Sequence, residues 1–236
     1  MSWRSDEAYD RRAGGRHAAV LLTCEHASDR LPEPYRWPDE DERLMGTHWA
    51  YDLGAAELTA SLAERLDAPA VRSRFSRLLV DPNRAEDSPT LFRVDAEGEP
   101  VGLNRDPDRS RRLREYYHPY HSAVDEAVGG HDAPMLLSIH SFTPLYEGEP
   151  RFLEVGVLYD KAESEALELA GRLDRAGFRV ELNAPYSGLK GHAWAIEHHA
   201  ARHERKALEL EVRQDLCVQP DVRQRLVDAM SLFFER

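Results

Sequence analysis

The chain has only two thiols, Cys24 and Cys217. Two are too few for a disulfide framework and fit a reducing compartment, so the cytoplasm is the expected location. No run of about 18 apolar residues occurs, so no membrane span is expected. The opening MSWRSDEAYDRRAGGR is charged and lacks an apolar centre, which does not read as a secretory signal. A basic surplus is also missing: Lys and Arg number 31 against 43 Asp and Glu, a net charge of −12. Nucleic acids and anionic membranes call for a basic face, so neither is an expected partner. There is no GxSxG elbow, no P-loop and no GxGxxG turn, which removes the commonest serine-hydrolase and nucleotide signatures.

Hydrophobic residues make up 42% of the 236 positions and charged residues 31%, enough for the packed core of one α/β domain. Residues 1–16 read as a loose tail and residues 17–236 as a single catalytic domain. Short apolar runs suit strands at 18–24, 77–81, 134–140, 152–159, 178–182 and 206–212. Leu58, Leu62 and Leu66 recur at i+4 and predict a helix over about 49–66. Further helices are expected from Leu113 to Val128, with Pro119 as a break or a start, and from about 162 to 176, closed by Gly177. A last helix carries Val222, Leu226, Met230 and Phe233 on one face. Residues 82–110 are rich in Pro, Asp, Arg and Gly and read as a long functional loop. Strands alternating with helices predict a three-layer α/β/α fold around a mostly parallel mixed sheet. Ligands gather at strand C-termini in such sheets.

Four predicted strand ends carry polar groups. LLTCEHASD ends in Glu25, His26 and Asp29; LLVDPNR in Asp81, Asn83 and Arg84; LLSIH in His140; and ALELEVRQD carries Glu209, Glu211, Arg213 and Asp215. His26 and Asp29, three apart on a turn, can reach one metal ion, and His140 can supply a third ligand. Two histidines and a carboxylate are a common zinc set in hydrolases. Taken singly, each histidine reads more readily as a cap or a core hydrogen-bonding group. Glu211 lies on the strand face opposite Leu208, Leu210 and Val212, and suits a general base. Taken alone it reads more readily as a salt-bridge partner of Arg213 or as part of an exposed strand face. Arg84, with Asn83, suits a clamp for a substrate carboxylate, with Arg151 as a second candidate. The plain alternative for Arg84 is an ion pair with Asp81 or Asp87. Cys24 stands as an alternative nucleophile, although a cysteine inside an apolar strand is usually core. His118 and His121, in HPYH, have metal-ligand spacing but read first as a helix-start feature.

CEHASD, HWAYDLGA, SRLLVDPNR, SIHSFTP, NAPYSG and LEVRQDL, in this order over residues 18–218, resemble the N-formylglutamate amidohydrolase family. That family is similar to the zinc carboxypeptidases and aspartoacylase. The resemblance implies their fold and a zinc cofactor. It implies His26, Asp29 and His140 as metal ligands, Asn83 and Arg84 for the substrate carboxylate, and Glu211 as the base. The implied partner is a small N-acyl amino acid such as N-formyl-L-glutamate. A carboxypeptidase-like peptidase, or a binding protein without turnover, is the alternative on the same scaffold. Position 29 is Asp where the peptidases have Glu, so Glu25 and Asp52 stand as alternatives for the carboxylate ligand.

Overall fold

In a computed structural model describing residues 2–146 and 148–235, eight strands form one sheet. They are β1 (Arg4–Ser5), β2 (Tyr9–Arg12), β3 (Val20–Cys24), β4 (Ala70–Ser73), β5 (Met135–Phe142), β6 (Val155–Leu158), β7 (Val180–Leu182) and β8 (Lys206–Arg213). Their spatial order is β1-β2-β4-β3-β5-β8-β6-β7. The central strands β4, β3, β5 and β8 run parallel, and antiparallel pairings join β2 to β4 and β6 to β8. Five longer helices flank the sheet: α1 (Ala55–Arg65), α2 (His118–Gly129), α3 (Glu163–Arg175), α4 (Trp194–Arg202) and α5 (Pro220–Phe234). Helices α1, α3 and α5 share one apolar core with Val20, Leu22, Leu137, Leu208 and Leu210. Helices α2 and α4 share a second core with Leu21, Val71, Leu136 and Ala207. The three-layer α/β/α architecture expected from the sequence is the one observed. Among the described residues no helix is long and apolar enough to cross a membrane.

Three local expectations change. The segment expected as a loose tail supplies β1 and β2. Its strands are polar and escape the apolar alternation that marks strands, but Asp10 takes ion pairs from Arg72 (3.1 Å) and Arg74 (3.4 Å), and buried Arg12 donates to the Ala68 carbonyl at 2.6 Å. Residues 77–81 are a turn rather than a strand. Leu78, Leu79 and Val80 are buried there, but the Asp81 amide bonds to Leu91 and the Arg77 amide to Ala50, outside the sheet. A short apolar run does not by itself distinguish the two. The helix through Pro119 continues back to Arg109, with a π-helical turn over Leu113–Tyr117. Proline lacks an amide and crowds the carbonyl four residues back, and the wider turn relieves both.

Alternation in β5 and β8 aims the chemistry. Their parallel register pairs His140 with Glu211 and Ser138 with Glu209. Side chains alternate between the faces of a strand, so all four project to the α2/α4 side at the C-terminal ends. Gly156 on β6 lies opposite Glu211, and a Cβ there would come within 1.9 Å of the Ala184 carbonyl oxygen. Gly156→Ala is therefore expected to cost about 1–3 kcal/mol by overpacking. Urea unfolding checks this: the midpoint should fall while the slope holds.

Candidate metal centre and cleft

His26 follows β3, and the backbone amide of Asp52 bonds to the His26 carbonyl at 2.9 Å. That single contact brings the turn before α1 against the end of β3. The turn is possible because Gly54 takes a positive φ of 82°, where a Cβ would strike the Cys217 backbone at 2.6 Å. His140, near the end of β5, completes the group. Among the described residues, His26, Asp52 and His140 form the one set of three donors whose ligand atoms all lie within 4.8 Å of one another.

The inner nitrogens of both rings face the same carboxylate oxygen. His26 Nδ1 lies 3.3 Å and His140 Nδ1 2.8 Å from Asp52 Oδ2. The outer nitrogens each meet another carboxylate: His26 Nε2 is 2.7 Å from Asp81, and His140 Nε2 is 3.0 Å from Glu25. Glu25 is itself fixed by donors from Tyr120 Oη (2.9 Å) and Ser138. Asp81 is fixed by Arg77 (2.9 Å) and by the Asn83 amide (2.9 Å). Histidines that ligate a metal through one nitrogen and are oriented by a carboxylate at the other have this arrangement.

Electrostatics agree with the donor geometry. Five buried carboxyl groups, Glu25, Asp52, Asp81, Glu209 and Glu211, surround the two histidines, with Arg77 as the nearby guanidinium. Burial works to raise Glu25, but hydrogen bonds from His140 and Ser138 outweigh it and hold it at about 2. Burial raises Glu209 to about 7 against the pull of His140, with Glu25 pushing the same way as burial. Glu211 is raised well above the usual carboxylate range, chiefly by burial and, against the pull of His140, by the charges of Glu209 and Asp52. Among the described residues its Oε2 has no hydrogen-bond partner. With both histidines neutral the centre has a surplus of negative charge that a divalent cation would balance.

A cleft of about 220 Å³ opens over this centre. His26, Asn83, Arg84, His140 and Glu211 all line it, as do Asp52, Arg77 and Arg93. Asn83 is fully engaged: Nδ2 donates to Glu209 (3.3 Å) and to the His192 carbonyl (3.4 Å), and Oδ1 accepts from the first turn of α4 (3.0 Å). It ties the loop to Glu209 and leaves Arg84 as the freer group of the pair. Arg151 stands behind the wall, over the rings of Tyr146 (4.6 Å) and Tyr186 (5.3 Å), both of which line the cleft. Asp29 lies outside the donor set and the lining. After His26 the chain turns towards β4, with the Ala27 amide on Ser73 Oγ and Arg30 on the Arg74 carbonyl, and this carries Asp29 away. His118 is exposed on Glu86 (2.9 Å), and His121 pairs with His199 (3.0 Å); neither lines the cleft. Cys24 points into the α1/α3/α5 core, and burial pushes its thiol up to about 12.

Family comparison adds to this geometry. The family model described as N-formylglutamate amidohydrolase matches residues 18–218. The chain belongs to the N-formylglutamate amidohydrolase family. A search of curated protein sequences finds no match. Among solved structures, a gene product of Agrobacterium tumefaciens superposes with a TM-score of 0.89 at 29% identity, covering 98% of this chain and 94% of that one. An N-formylglutamate amidohydrolase from Ralstonia eutropha superposes at 0.70 and 19% identity, covering 97% and 96%. YNDL in a zinc-free apo form superposes at 0.51 and 12% identity, covering 97% and 90%. The last two likenesses concern the fold.

Several residues of this site carry little signal in the sequence. Arg77, which pairs with Asp81 across i, i+4, lies in a turn that reads as a strand. Tyr120 and Ser138 look like ordinary core positions until Glu25 is placed between them. Arg93 lies in the loop over 82–110 with no motif around it.

Proposed function

We propose that this member of the family is a zinc-dependent amidohydrolase that cleaves the amide bond of a small N-acyl amino acid. N-formyl-L-glutamate, the substrate in the family's name, belongs to that class. The observation that carries the proposal is the convergence of His26 Nδ1, His140 Nδ1 and Asp52 Oδ2, with a carboxylate behind each ring. Asp52 takes the carboxylate-ligand role in place of Asp29. The donors fit zinc, which takes two histidines and a carboxylate in many hydrolases. When bound, the metal supplies Lewis acidity towards water and towards the amide carbonyl. Glu211 then accepts the proton of the attacking water and delivers it to the leaving amine nitrogen. Arg84 holds the substrate carboxylate, and Arg77 keeps Asp52 and Asp81 in place (3.4 and 2.9 Å).

The test is hydrolysis of a panel of N-acyl amino acids before and after chelation. Turnover is expected to disappear on metal removal and to return with added zinc. Thiol alkylation should leave it unchanged, because Cys24 is fully buried with its thiol protonated. Full activity in the metal-free protein would overturn the proposal.

A further inference from the structure

A pair of histidines joins the two helices on the site side of the sheet. His121 on α2 and His199 on α4 meet with Nδ1 and Nε2 3.0 Å apart, and their rings stack at 5.3 Å and 26°. A nitrogen–nitrogen contact of this kind holds one proton, since one ring donates and the other accepts. Among the described residues the far nitrogens, His121 Nε2 and His199 Nδ1, are buried without a hydrogen-bond partner. A further proton must therefore either set two donors face to face or sit on an unpartnered buried nitrogen.

The surroundings do little to stabilise that extra charge. The titratable and charged groups facing the pair are His118 and Asp125 on α2, His198 on α4, His203 just after it, and Glu25 at the end of β3. Asp125 lies 3.7 Å from His199 Nδ1 but is already shared by Arg202 (3.2 Å) and His203 (2.8 Å). Glu25 is taken up by Tyr120, Ser138 and His140. The rings of Tyr117 (4.3 Å), Trp194 (5.4 Å) and Tyr120 (5.5 Å) close round His121. Burial, joined by the charges of neighbouring histidines, holds His121 down at about 3 and His199 at about 4.

The same two helices hold parts of the cleft. Tyr120 on α2 donates to Glu25 at 2.9 Å, and Tyr117, in the turn before α2, donates to the Arg84 carbonyl at 2.8 Å. The Ala195 amide on α4 donates to Asn83 Oδ1 at 3.0 Å. We propose that His121 and His199 form an acid-sensitive latch between α2 and α4, and that this latch positions Glu25 and the Asn83–Arg84 loop at the cleft. The inference stands apart from the hydrolase reading, because neither histidine belongs to the metal-donor set or the cleft lining.

Both rings stay neutral in the folded protein at a pH where the unfolded chain, with the ordinary value of 6.5, is protonated. Stability from the latch is therefore full above about 6.5 and falls with pH until the lower values are reached. At about pH 5 the unfolding constant gains up to about 30-fold per histidine. The experiment is urea unfolding of wild type and of the double variant His121→Asn, His199→Gln, at about pH 7.5 and about pH 5. The two amides reach the positions of Nδ1 and Nε2 and keep one neutral hydrogen bond, but they do not titrate. On acidification the unfolding constant of wild type should rise at least about tenfold more than that of the variant. Proton uptake at the metal donors acts on both proteins and cancels in the comparison. Hydrogen exchange at about pH 5, corrected for intrinsic rates, should show α2, α4 and residues 81–84 losing more protection than α1, α3 and α5 in wild type only. A purely structural role would lower the variant's stability equally at both pH values. Equal acid losses in the two proteins, or a uniform loss across the helices, would overturn the proposal. If the variant does not fold, the histidine ring signals of wild type decide by NMR. Both rings neutral at about pH 5 support the latch, and either ring titrating near 6.5 overturns it.

Discussion

His140→Ala is expected to abolish metal binding. Wild type should hold about one zinc per chain, one metal being the share of a single three-ligand site. The variant should hold almost none, by elemental mass spectrometry of both proteins purified side by side. The ring would supply one of three donors, and its outer nitrogen is the contact that ties Glu25 to the centre at 3.0 Å. Its removal leaves Asp52 and Glu25 buried near Glu209 and Glu211 without that compensation. Breaking a buried charged contact in this way costs about 3–5 kcal/mol, so the variant should also melt earlier. Asp52→Asn separates the two effects, because it keeps the volume and removes only the ligand charge. It should fold, by circular dichroism, and still lose zinc. Retention should also depend on pH. Burial works to lower the His140 value, but Glu209, Asp52 and Glu25 outweigh it and raise it well above the ordinary range. Zinc must displace that proton, so the metal should leave as the pH falls. A folded Asp52→Asn protein with a full complement of zinc would overturn the ligand assignment.

Glu211→Gln should lower kcat by about 10²–10⁴ while zinc content stays near wild type. The carboxylate lines the cleft, sits in register with His140 and, among the described residues, has one oxygen without a hydrogen-bond partner. Burial favours the protonated form of Glu211, whereas a base must be ionised. A divalent cation held by His26, Asp52 and His140 would favour the ionised carboxylate. Glu209 is the control. It occupies the same face of β8, but its Oε2 already accepts from Asn83 at 3.3 Å. Glu209→Gln should therefore lose less turnover than Glu211→Gln. The reverse ranking, measured on one substrate at matched metal content, would move the base to Glu209.

The sequence exposed the strand ends more readily than the contacts between them. His26, His140 and Glu211 were legible because apolar runs led into them and strand alternation fixed their side. Asn83 and Arg84 were legible as a polar cluster, although the run before them is a turn. Asp52 was harder to see, since it lies 26 positions beyond His26 and reaches it through one backbone hydrogen bond. Spacing favoured Asp29, but the path of the chain after β3 takes that residue elsewhere. The edge strands β1 and β2 carry no apolar pattern, because they are held by Asp10 and Arg12.

The sheet has a consequence for how the chain is made. β8 is the last strand to be synthesised, yet it lies between β5 and β6 near the middle of the sheet. Until residue 213 has emerged, β5 is an open edge, and β6 and β7 have no strand to join them to the rest. The nascent protein thus carries the kind of unpaired edge that invites association with other chains. The same late strand brings Glu209 and Glu211. The centre therefore receives its final carboxylates only when the sheet closes, and a truncation before Lys206 removes Glu209 and Glu211 together with the strand that joins the two parts of the sheet.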